Sequence, residues 1–175
     1  MPPVICRPLW IWEDDVKKLS HVDAEGKAQM VDVGGKEVTP RTATASVVVR
    51  LNETAFAAVR DNQIGKGDVL TVAKLAGIQA AKRTSELIPL CHQVPLNKVD
   101  MQFTLNENDN TILITATATA DWTTGVEMEA LTACSVAALT VYDMVKAVQK
   151  DAIIDDLKLL AKKGGKSGAF TRADT

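Results

Sequence analysis

From Val126 to Lys150 the chain contains neither glycine nor proline and is rich in alanine, leucine and methionine, which predicts one long helix. What surrounds that helix narrows the fold. Val99, Met101, Phe103 and Leu105 alternate with Asp100, Gln102 and Thr104, as in a half-buried strand. NENDN (106–110) is turn chemistry, and TILITATATA (111–120) is rich in β-branched residues, so the two strands should form a hairpin. Upstream, Ala43, Ala45, Val47, Val49 and Leu51 share one side of a further strand over 42–51. Asn52 is placed to cap a short helix through Asp61. The glycines of GKG (65–67) interrupt the chain, Asp68 is placed to cap a second helix to about Leu87, and Pro89 stops its extension. Leu157, Leu159 and Ala161 alternate in a last strand over 153–161, followed by a Gly/Lys tail, KKGGKSG.

The expected fold class is α+β: a ferredoxin-like βα(α)ββαβ order, with a mostly antiparallel sheet and helices packed on one face. A chain of 175 residues has room for one core and is too short for two ordinary domains. No repeat or linker divides it. Residues 1–20 read as a loosely ordered N-terminal extension, 21–170 as a single domain and 171–175 as a C-terminal tail.

Composition excludes several functions. The 22 acidic and 20 basic residues nearly cancel, so no whole-chain field favours nucleic acid or a membrane surface. No apolar run is expected to approach the ~18 residues of a spanning helix. Cys6, Cys91 and Cys134 are odd in number and widely spaced, which argues against a disulfide framework and for a reducing compartment. The two histidines, His21 and His92, belong to no C-x-x-C, H-x-x-x-H or H-E-x-x-H pattern, so a tetrahedral zinc site is not expected. Glu13, Asp14 and Asp15 in the first twenty residues are unlike a transit peptide, and that segment has no secretory apolar core.

Five stretches could carry chemistry, and each has a structural reading beside the functional one. In IPLCH (88–92), His92 could exchange protons near neutral pH or be a plain loop residue. Adjacent Cys91 and His92 point to opposite sides of an extended backbone and make a poor nucleophilic pair. In TGVEMEA (124–130), Glu127 and Glu129 suit a helix dipole, while one of them could also accept hydrogen bonds from a guanine-like N–H edge. Asp143 and Lys146 share a helix face, either as an exposed ion pair or as an acid/base pair at a cleft. Lys66, between two glycines, is either solvated or reaches over a neighbouring subunit's cleft. GKS (165–167) imitates a P-loop, but the required first glycine falls on Leu160 and no helix follows. That leaves Lys162, Lys163 and Lys166 on a flexible stretch that could close over phosphates.

MVDVGGK (30–36), GKGDV (65–69), AGIQAAKRT (76–84), LIPLCH (87–92), the run from Thr124 to Asp151, and LLAKKGGKSG (159–168) together resemble the MoaC family, over about His21 to Phe170. The resemblance implies a ferredoxin-like enzyme of molybdenum cofactor biosynthesis. Such an enzyme converts 3′,8-cyclo-7,8-dihydro-GTP to cyclic pyranopterin monophosphate and pyrophosphate. It implies a cyclised nucleotide supplied by a radical SAM enzyme (MoaA), and a homohexamer built as a trimer of dimers with the site at the dimer interface. No nucleic acid or membrane partner is implied, and no resident cofactor, magnesium accompanying the substrate phosphates at most. The cytoplasm is the expected compartment, with the mitochondrial matrix as the alternative. Position by position, Asp143 matches the family's active-site aspartate, Lys146 its companion lysine and Lys66 another essential lysine. Leu90, Cys91, His92, Glu127 and Met128 match substrate-binding stretches. Arg41, Lys162 and Lys166 match groups that hold the triphosphate. Ala130, Ala133, Ala137 and Ala138 on the long helix would permit close contact between subunits.

Overall fold

The alternation in the first strand matures into β1 (Thr39–Arg50), whose inward side chains from Ala43 to Val49 are fully buried. The computed structural model in which this is seen describes residues 28–173. Cys6, His21 and the expected extension over 1–20 lie outside the described residues. The chain divides into two units, Met1–Asp32 and Val33–Thr175. The described part of the first, residues 28–32, contains no helix or strand.

In the second unit, Asn52 caps α1 (Glu53–Arg60) by accepting from the Ala55 N–H, and Asp68 caps α2 (Val69–Lys82) through the Thr71 N–H. The helix expected to reach Leu87 breaks at Arg83. The buried Thr84 hydroxyl donates to the carbonyls of Ala80 and Ala81, and a separate turn, α3 (Thr84–Leu87), follows. The hairpin forms as expected from β2 (Lys98–Asn106) and β3 (Thr111–Trp122). The long helix, α4 (Glu127–Val145), ends five residues sooner than its composition suggests. Buried Gln149 accepts the Asn52 N–H, and the Tyr142 hydroxyl donates to the Lys150 carbonyl, so the chain is turned aside there. β4 (Ile153–Lys163) closes the predicted set. The stretch expected as a tail instead makes an ordered turn into β5 (Phe170–Thr171), which pairs with Ala161 and Lys162.

The sheet order is β2-β3-β1-β4-β5, with every neighbouring pair antiparallel. This is the α+β, ferredoxin-like arrangement expected, extended by β5. The core lies between the sheet and α4. Ile112, Ile114, Val47 and Val49 meet Val126, Val141 and Val145, all fully buried, each contributing about 1.5–3 kcal/mol. Two expectations need correction here. By length and composition, α4 is apolar enough to cross a membrane. Its apolarity is spent on the sheet beneath it, and Glu127, Glu129 and Asp143 lie along it. The alanines at 130, 133, 137 and 138 are completely buried within this chain. They admit β1, β3 and α2 at close range and are not free to face another subunit.

Candidate active site

At the C-terminal end of α4, Gly67 at φ +98° turns the 65–67 loop, and buried Ile64 anchors it. Lys66 is thereby carried to the last turn of the helix. Its ammonium donates to the Asp143 carbonyl at 2.7 Å and to Asp143 Oδ2 at 2.8 Å. The first contact serves a helix-end carbonyl that has no intrahelical donor, where the dipole favours a cation. Lys146, one turn beyond Asp143, approaches Oδ1 at 2.6 Å. Asp143 is thus held between two ammonium groups, one on each oxygen. The hydrogen bonds from Lys146 and then Lys66 hold its carboxyl down at about 2. Asp143 in turn raises the proton affinity of Lys146. All three side chains are about half exposed in the single chain.

A second group gathers at the opposite end of α4, where β1 begins and β3 and β4 end. The Arg41 Nε donates to the Trp122 carbonyl at 3.1 Å and its Nη2 to the Thr123 carbonyl at 3.3 Å. Gly164 and Gly165, both at positive φ, let the β4–β5 turn lie directly on Pro40 and the guanidinium, where a Cβ would collide. Lys162 donates to Ser167 Oγ and stands 3.9 Å from Glu127 Oε1. Gly125 leaves the space into which the Glu127 carboxylate folds. A groove of about 740 Å³ opens here, with Lys36, Arg41 and Lys166 among its walls. Its volume is that of a small-molecule site.

Glu129 belongs to this end; beside Glu127 it was expected to suit the helix dipole or to accept from a guanine-like edge, and its burial was not foreseen. It is only 4% exposed, and burial, with the charge of Glu127 added, pushes its carboxyl up to about 7. The signal was present: residue 129 falls on the same helical stripe as buried Val126, Thr132, Ala133 and Ala137. Cys91 lies near enough to feel Glu129, and its thiol is raised by burial and by that charge, so it is no thiolate nucleophile. Cys134 is a core thiol, pushed up to about 12 by burial. Lys36, Thr39, Thr123, Thr124 and Ser167 also line the groove without having been singled out.

The site residues expected from the sequence therefore fall into two sets. Asp143, Lys146 and Lys66 meet at one end. Cys91, Glu127, Arg41, Lys162 and Lys166 gather at the other, with Leu90, His92 and Met128 next to them in the chain. Glu127 and Asp143 are sixteen residues apart on one helix, about 24 Å at 1.5 Å per residue.

The model of the MoaC family matches residues 30–165. The chain belongs to the MoaC family. Among relatives, cyclic pyranopterin monophosphate synthase of Heliobacterium modesticaldum is 54% identical over 156 residues, covering 89% of this MoaC chain and 98% of the relative. The same-named protein of Chloroflexus aurantiacus is 53% identical over 155 residues, 89% of this chain and 95% of its own. Molybdenum cofactor biosynthesis protein 1 of mouse is 54% identical over 156 residues, 89% of this chain. The MoaC chain spans only about a quarter of that animal relative, which is covered to 24%.

Proposed function

We propose that this chain converts 3′,8-cyclo-7,8-dihydro-GTP to cyclic pyranopterin monophosphate and pyrophosphate, a step of molybdenum cofactor biosynthesis. The supporting observation is that the reactive residues expected for this family gather at the two ends of α4 as two complementary groups, a proton-bearing cluster and a cationic groove. Acid–base groups work within hydrogen-bond reach, ~2.6–3.2 Å between heavy atoms, of the atom whose proton they move. Two groups about 24 Å apart on one helix therefore act on one nucleotide only when separate copies supply them. In this reading the Asp143, Lys146 and Lys66 of one chain complete the groove of another. Exposure of the cluster in the single chain agrees with that. The assembly is a hexamer of three such dimers, and a radical SAM enzyme in the same compartment, the cytoplasm, supplies the substrate.

The chemistry asks for protons moved on and off ring nitrogens, then attack of a ribose-derived hydroxyl on the α-phosphorus. A new P–O bond forms, the bond to the β-phosphate breaks, and the electron pair leaves on pyrophosphate. Asp143 keeps both ammonium groups charged and aimed, and Lys146 enters the reaction protonated. Glu127, Met128 and the Leu90–His92 stretch hold the heterocycle, while Arg41, Lys162 and Lys166 neutralise the phosphates. No resident cofactor is assigned. Magnesium would arrive on the phosphates.

The purified chain incubated with the cyclised nucleotide should release pyrophosphate and a product that oxidises to a fluorescent pterin, while plain GTP is returned intact. Asp143→Asn and Lys66→Ala should remain folded and lose roughly 100-fold or more in turnover. Stoichiometric binding with no product would instead make the chain a nucleotide-binding module.

A further inference from the structure

The inward stripe of β1 continues past the end of α4. Where Ala43 to Val49 meet the helix, Arg41 and Thr39 emerge beyond its first turn and line the groove. Arg41 is fixed there by two carbonyls and the glycine turn. Thr39 is not satisfied: its hydroxyl is the one buried side-chain nitrogen or oxygen without a hydrogen-bond partner among the described residues. Native structures seldom leave such a group without a purpose. Lys36 and Lys166 stand on the same groove, and neither has an ion-pair partner among the described residues. Against three cations, the groove wall carries one carboxylate, Glu37.

We propose that Thr39 and Lys36 are further positioning residues of this site, holding the two terminal phosphates that depart as pyrophosphate. The inference rests on the proposed function for the identity of the ligand and on the groove for its place. A condensed diphosphate brings several strong acceptors close together. An immobile guanidinium takes two of them, a lysine on the rim adds charge, and the Thr39 hydroxyl gains the acceptor it lacks. Staggered χ1 alternatives let the hydroxyl turn towards a bound oxygen without moving the strand. Monophosphate fills less of the groove and should be held more weakly.

The test is calorimetric titration of the full chain with inorganic pyrophosphate and, separately, with inorganic phosphate. Wild type should bind pyrophosphate more tightly than phosphate. Thr39→Val and Lys36→Ala should each weaken pyrophosphate binding roughly tenfold, with Thr39→Ser close to wild type. Thr39→Val also removes a buried hydroxyl without a partner, so the free variant should melt no lower than wild type. Loss of binding together with a lower melting temperature in both Thr39→Val and Thr39→Ser would mean a structural role and would overturn the assignment. So would unchanged pyrophosphate affinity in Thr39→Val and Lys36→Ala, or no binding by wild type. Turnover is measured in parallel. A chain that makes product while its variants bind pyrophosphate normally refutes this inference alone. A chain that makes no product but shows the predicted binding pattern refutes the proposed reaction and leaves the diphosphate groove standing.

Discussion

Glu129 places a carboxyl group on a helix stripe otherwise made of alanine, threonine and valine. Burial favours its protonated form, so the folded state holds the proton up to pH about 7 while an unfolded glutamate releases it near 4.5. The folded pKa is raised. The stability it confers is therefore complete below pH 4.5 and is lost as the pH rises to about 7. Glu129→Gln should melt like wild type at pH 4.5 and be more stable at pH 8 by about 1–3 kcal/mol, which thermal denaturation at the two pH values will read. An unchanged difference across that range would mean the carboxyl is solvated. This residue also marks how much of the site was legible. First-turn glutamates suit any helix, and that ordinary explanation concealed the one that faces inward. The Asp143–Lys146 pair was visible from spacing. The Lys66 contact joins residues 77 positions apart, and no local pattern reports it; only resemblance to relatives suggested it.

At the scale of elements, α4 and α2 pack closely because Gly77 has no side chain. An added Cβ would come within 2.9 Å of the Ala133 carbonyl and would press into Met101. Met101 is flexible and could yield, but the helix backbone cannot. Gly77→Ala should destabilise the chain by about 1–3 kcal/mol in chemical denaturation, with no change in the turnover of the folded fraction. Element identity was largely readable, since alternation, caps and turn residues act within a few positions. Their ends were not. α2 stops where Thr84 bonds back to the carbonyls behind it, and α4 stops where Gln149 is held by Asn52. β5 contributes two residues and owes its place to β4, with Arg172 donating to the Leu159 carbonyl, so nothing in its own sequence announces it.

For the whole molecule, the decisive quantity is the length of α4. If each site takes its proton-handling cluster from one copy and its groove from another, two different defects should complement each other. Asp143→Asn and Glu127→Gln chains, each inactive alone, should recover activity when unfolded and refolded together. In a two-fold pair the mixed dimer keeps one intact site of two, so random mixing should restore roughly a quarter of wild-type turnover. A mixture as inactive as its components would confine the site to a single chain. The ferredoxin-like order was legible because it follows from the succession of elements. The separation of the two groups was hidden, because a motif list carries no distances until the helix joining them is measured.

The same rod has a consequence for heredity. If copies share sites in this way, a chain altered at both ends of α4 lends a faulty half to each of two sites. In a twofold pair it would silence its healthy companion completely, whereas a chain altered at one end spares half of the pair's capacity. Loss of two side chains from one polypeptide would then behave as a dominant lesion, although the partner's own sequence is intact.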